Sequence, residues 1–159
     1  MAKKIIFGVI LVGILLLGAN SLSANPKVGI QIIPGNTGLS FPIYSENYGG
    51  GFWGSYQKVD SSPKTVLGCW AEIRQNIAPQ TYFAYGLNYD FAFGQVGGVD
   101  LDYAISTSPY LSFQYNFTEN FMITLWSELV SYSKTKYSAQ TPSERIDLFK
   151  NSLAFSYFF

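Results

Sequence analysis

Six charged side chains carry most of the chemistry this chain could do. Glu72, Arg74, Asp90, Asp100, Asp102 and Glu128 all sit at positions that alternate with bulky apolar residues. Residues two apart on an extended chain share a face, so Glu72 and Arg74 project together, and a carboxylate is cheapest to bury beside a guanidinium. Glu128 and Asn88 are expected to join them in one polar network with Asp90, Asp100 and Asp102. The three aspartates have no lysine or arginine expected beside them. Such a set can hold Ca²⁺ or Mg²⁺ through oxygen, but it is more often a solvated rim, and no metal is assigned. The chain has no histidine, which removes the commonest general base and metal ligand. The single cysteine, Cys69, rules out an internal disulfide or a cysteine zinc site. No Ser-His-Asp arrangement can be built, and Gly49-Gly50-Gly51 lacks the lysine of a phosphate-binding loop. Ten basic residues balance ten acidic ones, so there is no basic patch for nucleic acid. The expectation is a protein without catalytic residues or a cofactor.

The elements that must position these residues follow from a period of two, the period of a strand. From Thr81 to Gly94 the odd positions are Thr81, Phe83, Tyr85, Leu87, Tyr89, Phe91 and Phe93; the even positions are small or polar apart from Tyr82. The same parity puts Val99, Leu101, Tyr103 and Ile105 on the apolar face, then Leu111, Phe113, Tyr115 and Phe117, then Phe121, Ile123, Leu125 and Leu129. Upstream, Leu67, Cys69, Ala71 and Ile73 oppose Gly68, Trp70, Glu72 and Arg74. Strands are predicted over residues 65–75, 80–93, 98–106, 109–117, 121–133 and 147–159, separated by Pro-, Gly- and Asn-containing turns. Residues 51–59 and 27–33 supply two more, with 34–50 as a loop; residues 39–44 are the alternative first strand. Consecutive strands joined by short turns make an antiparallel meander.

The composition of the polar face separates two architectures. A solvent-facing side should be rich in Lys, Glu, Arg and Thr. This one is mostly Gly, Ala, Ser, Asn and Asp, which suits a narrow barrel interior. An apolar face free of charge suits contact with lipid, since a lysine or arginine at mid-bilayer costs about 2–4 kcal/mol. By this parity Trp70 and Trp126 fill the interior, while Tyr85, Tyr89, Tyr103, Tyr115 and Tyr157 are candidates for interfacial girdles. At the N-terminus, Lys3-Lys4 precede a 13-residue apolar run from Ile5 to Leu17. That is short of the ~20 residues of a membrane helix and fits a cleavable signal peptide over residues 1–24, with Leu22-Ser23-Ala24 as the cleavage tripeptide. Its removal leaves 8 basic against 10 acidic residues.

The chain ends Leu153-x-Phe155-x-Tyr157-x-Phe159. This alternation with a terminal aromatic resembles the assembly signal of small Gram-negative outer-membrane β-barrels of the OmpA, OmpX and OmpW kind. The resemblance implies an all-β, up-and-down transmembrane barrel of eight strands over residues 25–159, with lipid and the barrel-assembly machinery as partners. It implies both termini in the periplasm. Residues 60–64, 94–98 and 118–120 then form periplasmic turns, and 34–50, 76–79, 107–108 and 134–144 lie outside. Arg74 and Glu128 are placed together in the outer half, with the three aspartates near the periplasmic end. A structural or surface-interaction role is expected. A small pore or conduit, or a secreted soluble β protein that binds a ligand, is the alternative.

Overall fold

The alternating sequence closes into a single ring of eight antiparallel strands, each paired with its neighbours in chain order and the last with the first. This computed structural model describes residues 26–34, 38–59 and 62–159. The proposed signal segment, 1–24, lies outside the described residues. The strands are β1 (Lys27–Ile32), β2 (Leu39–Tyr44), β3 (Tyr48–Val59), β4 (Ser62–Ala78), β5 (Thr81–Val96), β6 (Val99–Asn116), β7 (Phe121–Tyr137) and β8 (Ser143–Phe158). Strands β1 and β2 have 6 residues each, whereas β4 to β8 have 16 to 18, so the wall is much lower on one side. Two ends can be distinguished: a terminal end, where β1 starts and β8 finishes, and a far end.

The expected parity holds along most of the wall. Leu87 is 60% exposed on β5 and Phe113 53% on β6, whereas Ala84, Ala154 and Ser156 are completely buried. The apolar residues thus face outward and the small and polar ones inward. Leu153, Tyr157 and Phe159 are exposed outward, with Phe155 half-buried between them. Trp70 and Trp126 point inward, as parity required, with their rings 6.0 Å apart.

The total of eight matches the expected number, but two segments differ in opposite senses. Residues 39–44 form β2 rather than part of a loop, and the segments 98–106 and 109–117 are one strand, β6. Pro109 explains the second difference. It has no N–H to give to a ladder, and the β6–β7 register shifts between Thr107 and Tyr110, yet Ser108 and Pro109 stay paired with Asn88 and Leu87 of β5. A local sequence that looks like a turn is therefore a bulge. Replacing a turn by a strand early in the chain and removing one later also moves the connections between them. The β3–β4 and β5–β6 connections lie at the far end with the β7–β8 loop, not at the terminal end, and the β4–β5 turn after Ala78 lies at the terminal end. The turn between β6 and β7 is at the terminal end, as expected.

One further parity change is local. Gly94, with a positive φ of 124°, sits at a register shift between Ala92 and Gly94 that brings Leu101 opposite it. Leu101 is consequently buried at 5% exposure, whereas it was expected on the apolar outward face. The β5–β6 turn that follows uses Gly97 and Gly98, both at positive φ, as a two-residue hairpin requires.

Candidate functional site

Hydrogen bonds between strands that are not neighbours can only cross the lumen, and they define its contents. In the terminal half, β4 contributes Glu72 and Arg74, both buried. Glu72 accepts hydrogen bonds from the Tyr110 hydroxyl at 2.8 Å and from the Gln114 amide, both on β6. Arg74 Nε donates to Gln114 Oε1 at 2.7 Å and its Nη1 to the Ser45 carbonyl at 2.8 Å. The guanidinium lies 4.0 Å from Glu72 Oε1 and is stacked on Tyr44 and Tyr82, at 4.4 and 4.2 Å from their ring centroids. Below it, Tyr44, Met122 and Phe158 form an apolar layer. A buried ion pair is favourable only when its remaining donors and acceptors are also met, and here a side-chain amide, a phenol and a backbone carbonyl meet them.

Midway, Trp70, Tyr110 and Trp126 pack as an aromatic layer, with Tyr110 and Trp126 centroids 4.7 Å apart. Above it the lumen opens into a cavity of about 350 Å³ lined by Ile33, Pro34, Trp53, Trp70, Asn88, Asp90, Trp126, Glu128, Lys150 and Ser152. Two carboxylates face it, and neutral donors hold both. Asp90 accepts from Trp53 Nε1 at 2.8 Å and from the Ser106 hydroxyl at 3.3 Å. Glu128 accepts from Asn88 Nδ2 at 2.9 Å and the Ser108 hydroxyl at 3.4 Å. Among the described residues no ion pair within 4.0 Å ties Lys150 to either carboxylate. Asn88 Oδ1, Trp70 Nε1 and Trp126 Nε1 are buried polar atoms without a partner, as is Thr124 Oγ1 elsewhere in the lumen. Gly68 makes room for the Trp53–Asp90 contact: a Cβ there would lie 1.9 Å from Trp53 Nε1 and 2.3 Å from Asp90 Oδ1.

The seven residues expected to share one network are divided among three places. Glu72 and Arg74 form the terminal-half cluster. Asn88, Asp90 and Glu128 line the far-half cavity, so Arg74 and Glu128 are not together: β4 runs toward the terminal end once β2 is counted. Asp100 and Asp102 are exposed at the far end instead of facing the lumen near the terminal end, where they were expected. Asp100 accepts from Gln95 at 2.8 Å, and Asp102 pairs with Lys136 at 3.4 Å. The three aspartates are not brought together, and among the described residues no group of three or more acidic or cysteine side chains could hold a metal ion. Cys69 is a free thiol on the outward parity, between Phe52 and Tyr89 in the ladders, and is buried. Sequence reasoning did not single out Gln114, Tyr110, Tyr44, Tyr82 or Trp53 as lumen partners. The inward parity of Gln114, Tyr110 and Tyr82 was legible, whereas Tyr44 fell in the expected 34–50 loop and Trp53 had no assigned face; which of them meet depends on register between strands that do not touch.

These features define the class: a closed, eight-stranded antiparallel barrel with a polar, mostly filled interior and an apolar exterior. No protein-family model, no curated protein and no solved structure matches the chain.

Proposed function

We propose that the chain is a non-enzymatic, integral β-barrel of the Gram-negative outer membrane, exported by a signal peptide over residues 1–24, with a structural or surface-interaction role. The observation that carries this reading is the inversion of polarity between the two faces. The outward positions of β4 and β5, from Thr65 to Ile77 and from Thr81 to Phe93, hold no charged residue. On β7 and β8 the outward face stays uncharged up to Lys134 and Glu144, which pair with each other at 2.8 Å. A water-soluble barrel would leave this belt of exposed Leu, Ile, Phe and Tyr as a continuous apolar patch, whereas hydrocarbon would satisfy it. Strands β4 to β8 exceed the roughly 9–11 residues that a tilted membrane strand needs, and closing the ring at the β1–β8 seam satisfies the backbone groups along its paired stretch, as lipid requires.

The terminal half is filled by Arg74, Glu72, Gln114 and the Tyr44–Met122–Phe158 layer. That filling supports a closed barrel over a pore, and the barrel is expected to show no conductance in planar bilayers. Phe159 projects outward from the last strand with its N–H bonded to the Val28 carbonyl at 3.0 Å, where a barrel-assembly factor would read it. Two experiments test the reading. The folded protein in detergent should migrate differently on gels before and after boiling. Leu87→Arg, in mid-strand on the outward face, should destabilise the barrel by about 2–4 kcal/mol in bilayers. A chain that stays soluble without detergent, or tolerates the arginine without loss, would sink the membrane assignment. Deleting Phe159 should reduce insertion in cells.

A further inference from the structure

We propose that the far-half cavity is a binding site for a small organic ammonium ion, with the charged nitrogen held by Asp90, Glu128 and Asn88 and an apolar body lying against the indoles. Three observations converge on it. The first is charge. Asp90 and Glu128 face one cavity, each held only by neutral donors, and Lys150 supplies a single positive charge to the same space without an ion pair to either. The lining is thus short of one cation, and a carboxylate removed from bulk water is costly without one. The terminal half of the same lumen shows the alternative, in which Arg74 supplies the cation for Glu72.

The second is the unmet acceptor. Asn88 is only 8% exposed, lines the cavity, and gives its Nδ2 to Glu128 while its Oδ1 has no partner. An amide oxygen and two carboxylates are three acceptors, and a primary ammonium has three donors. The third is the wall. All three tryptophans of the chain, Trp53, Trp70 and Trp126, line this one cavity. Indole faces attract cations more strongly than other rings do. The volume of about 350 Å³ falls within the range of small-molecule sites, roughly 300–1,000 Å³, and suits an amine with a ring-sized apolar body.

The same arrangement supplies its own readout, because the whole tryptophan emission of the protein reports on the cavity. The full chain in detergent is titrated with cyclohexylammonium and, separately, with cyclohexanol, which has the same body without the charge. Cyclohexylammonium is expected to give a saturable change in tryptophan emission, and cyclohexanol at least tenfold weaker binding. The Asp90→Asn, Glu128→Gln double variant keeps the shapes and should lose at least tenfold in affinity for the amine; its fold is checked by heat-modifiable migration. Lys150→Met, which removes the competing positive charge, should bind the amine more tightly than the native chain. The proposal is overturned by no saturable change with the native protein, by equal affinity for the alcohol, or by unaltered binding in the double variant. Binding seen only in Lys150→Met would mean that the lysine's own ammonium fills the site, which also overturns it.

Discussion

The two halves of the lumen start from the same material, a carboxylate projecting inward from a strand, and end in opposite states. Near the termini, Glu72 meets a guanidinium, an amide and a phenol, and the space is filled. In the far half, Glu128 and Asp90 meet only an amide, hydroxyls and an indole N–H, and the space stays open. The difference is one arginine. Its long planar head satisfies several acceptors at once and stacks on Tyr44 and Tyr82. A narrow barrel closes where a cation of the right reach is built into the wall and stays hollow where it is not.

The strongest way to break this contrast is to remove the cation. Arg74→Ala leaves Glu72 buried without its counter-charge and should destabilise the barrel by about 3–5 kcal/mol, measured by denaturant unfolding in detergent. A loss below 1 kcal/mol would mean that the terminal half is held by its apolar layer alone. Next in size is the pair Glu72→Gln and Glu128→Gln. The first strands Arg74 among neutral groups and should cost about 1.5–3 kcal/mol, the range for hydrogen bonds to charged groups. The second removes one of two carboxylates that share the single charge of Lys150, the residue opposite Glu128 in the ladder, and should leave stability unchanged or raised. Equal losses in the two would erase the distinction between the halves. Gly68→Ala sharpens the far half by pushing Trp53 off Asp90; overpacking of this kind costs about 1–3 kcal/mol, and the indole emission should shift with it.

The smallest effect lies at the far rim, beyond the uncharged belt. The Ser138 hydroxyl and then Lys136 hold Asp102 below the ordinary carboxylate range, and Lys134 does the same for Glu144. A carboxylate depressed in the folded state stabilises it at neutral pH, and that contribution fades as pH falls toward the depressed value. Acidification from about pH 7 to about pH 3, across the ordinary carboxylate range, should therefore lower the protection factors of the β7–β8 rim amides, taken relative to the intrinsic exchange rate at each pH, while the Glu72–Arg74 layer stays protected. Uniform exchange along β7 would refute the separation.

The faces of the wall were legible in the sequence because side-chain parity is a local property. Phe83 to Phe93, Trp70, Trp126 and the Leu153 to Phe159 run all lie on the side their alternation requires. Position along the barrel was not legible, because it depends on how many strands come before. Pro42 and the three glycines at 49–51 disguised β2, and Thr107-Ser108-Pro109 imitated a turn. In the structure, Pro42 and Ile43 pair with Gly51 and Gly50, and Ser108 and Pro109 with Asn88 and Leu87. Only pairing with a distant strand separates a bulge from a turn, so the total survived while the direction of β4 was reversed. That reversal moved Arg74 away from Glu128 and hid the division of the lumen. Gln114 escaped notice for a related reason: an uncharged amide signals nothing until register sets it between Glu72 and Arg74.

The low side of the wall has a consequence of its own. Six extended residues rise roughly 20 Å, and β1 and β2 have no more than that. Among the described residues the ring is sealed there by residues 29–32 against 155–158 and by the Phe159 N–H on the Val28 carbonyl, while the upper part of β8 has no register partner on its β1 side. A bilayer wrapped around such a lopsided cylinder would have to thin locally against the short side, tilting the molecule toward it. The same short hem is where thermal unzipping of the ring should begin.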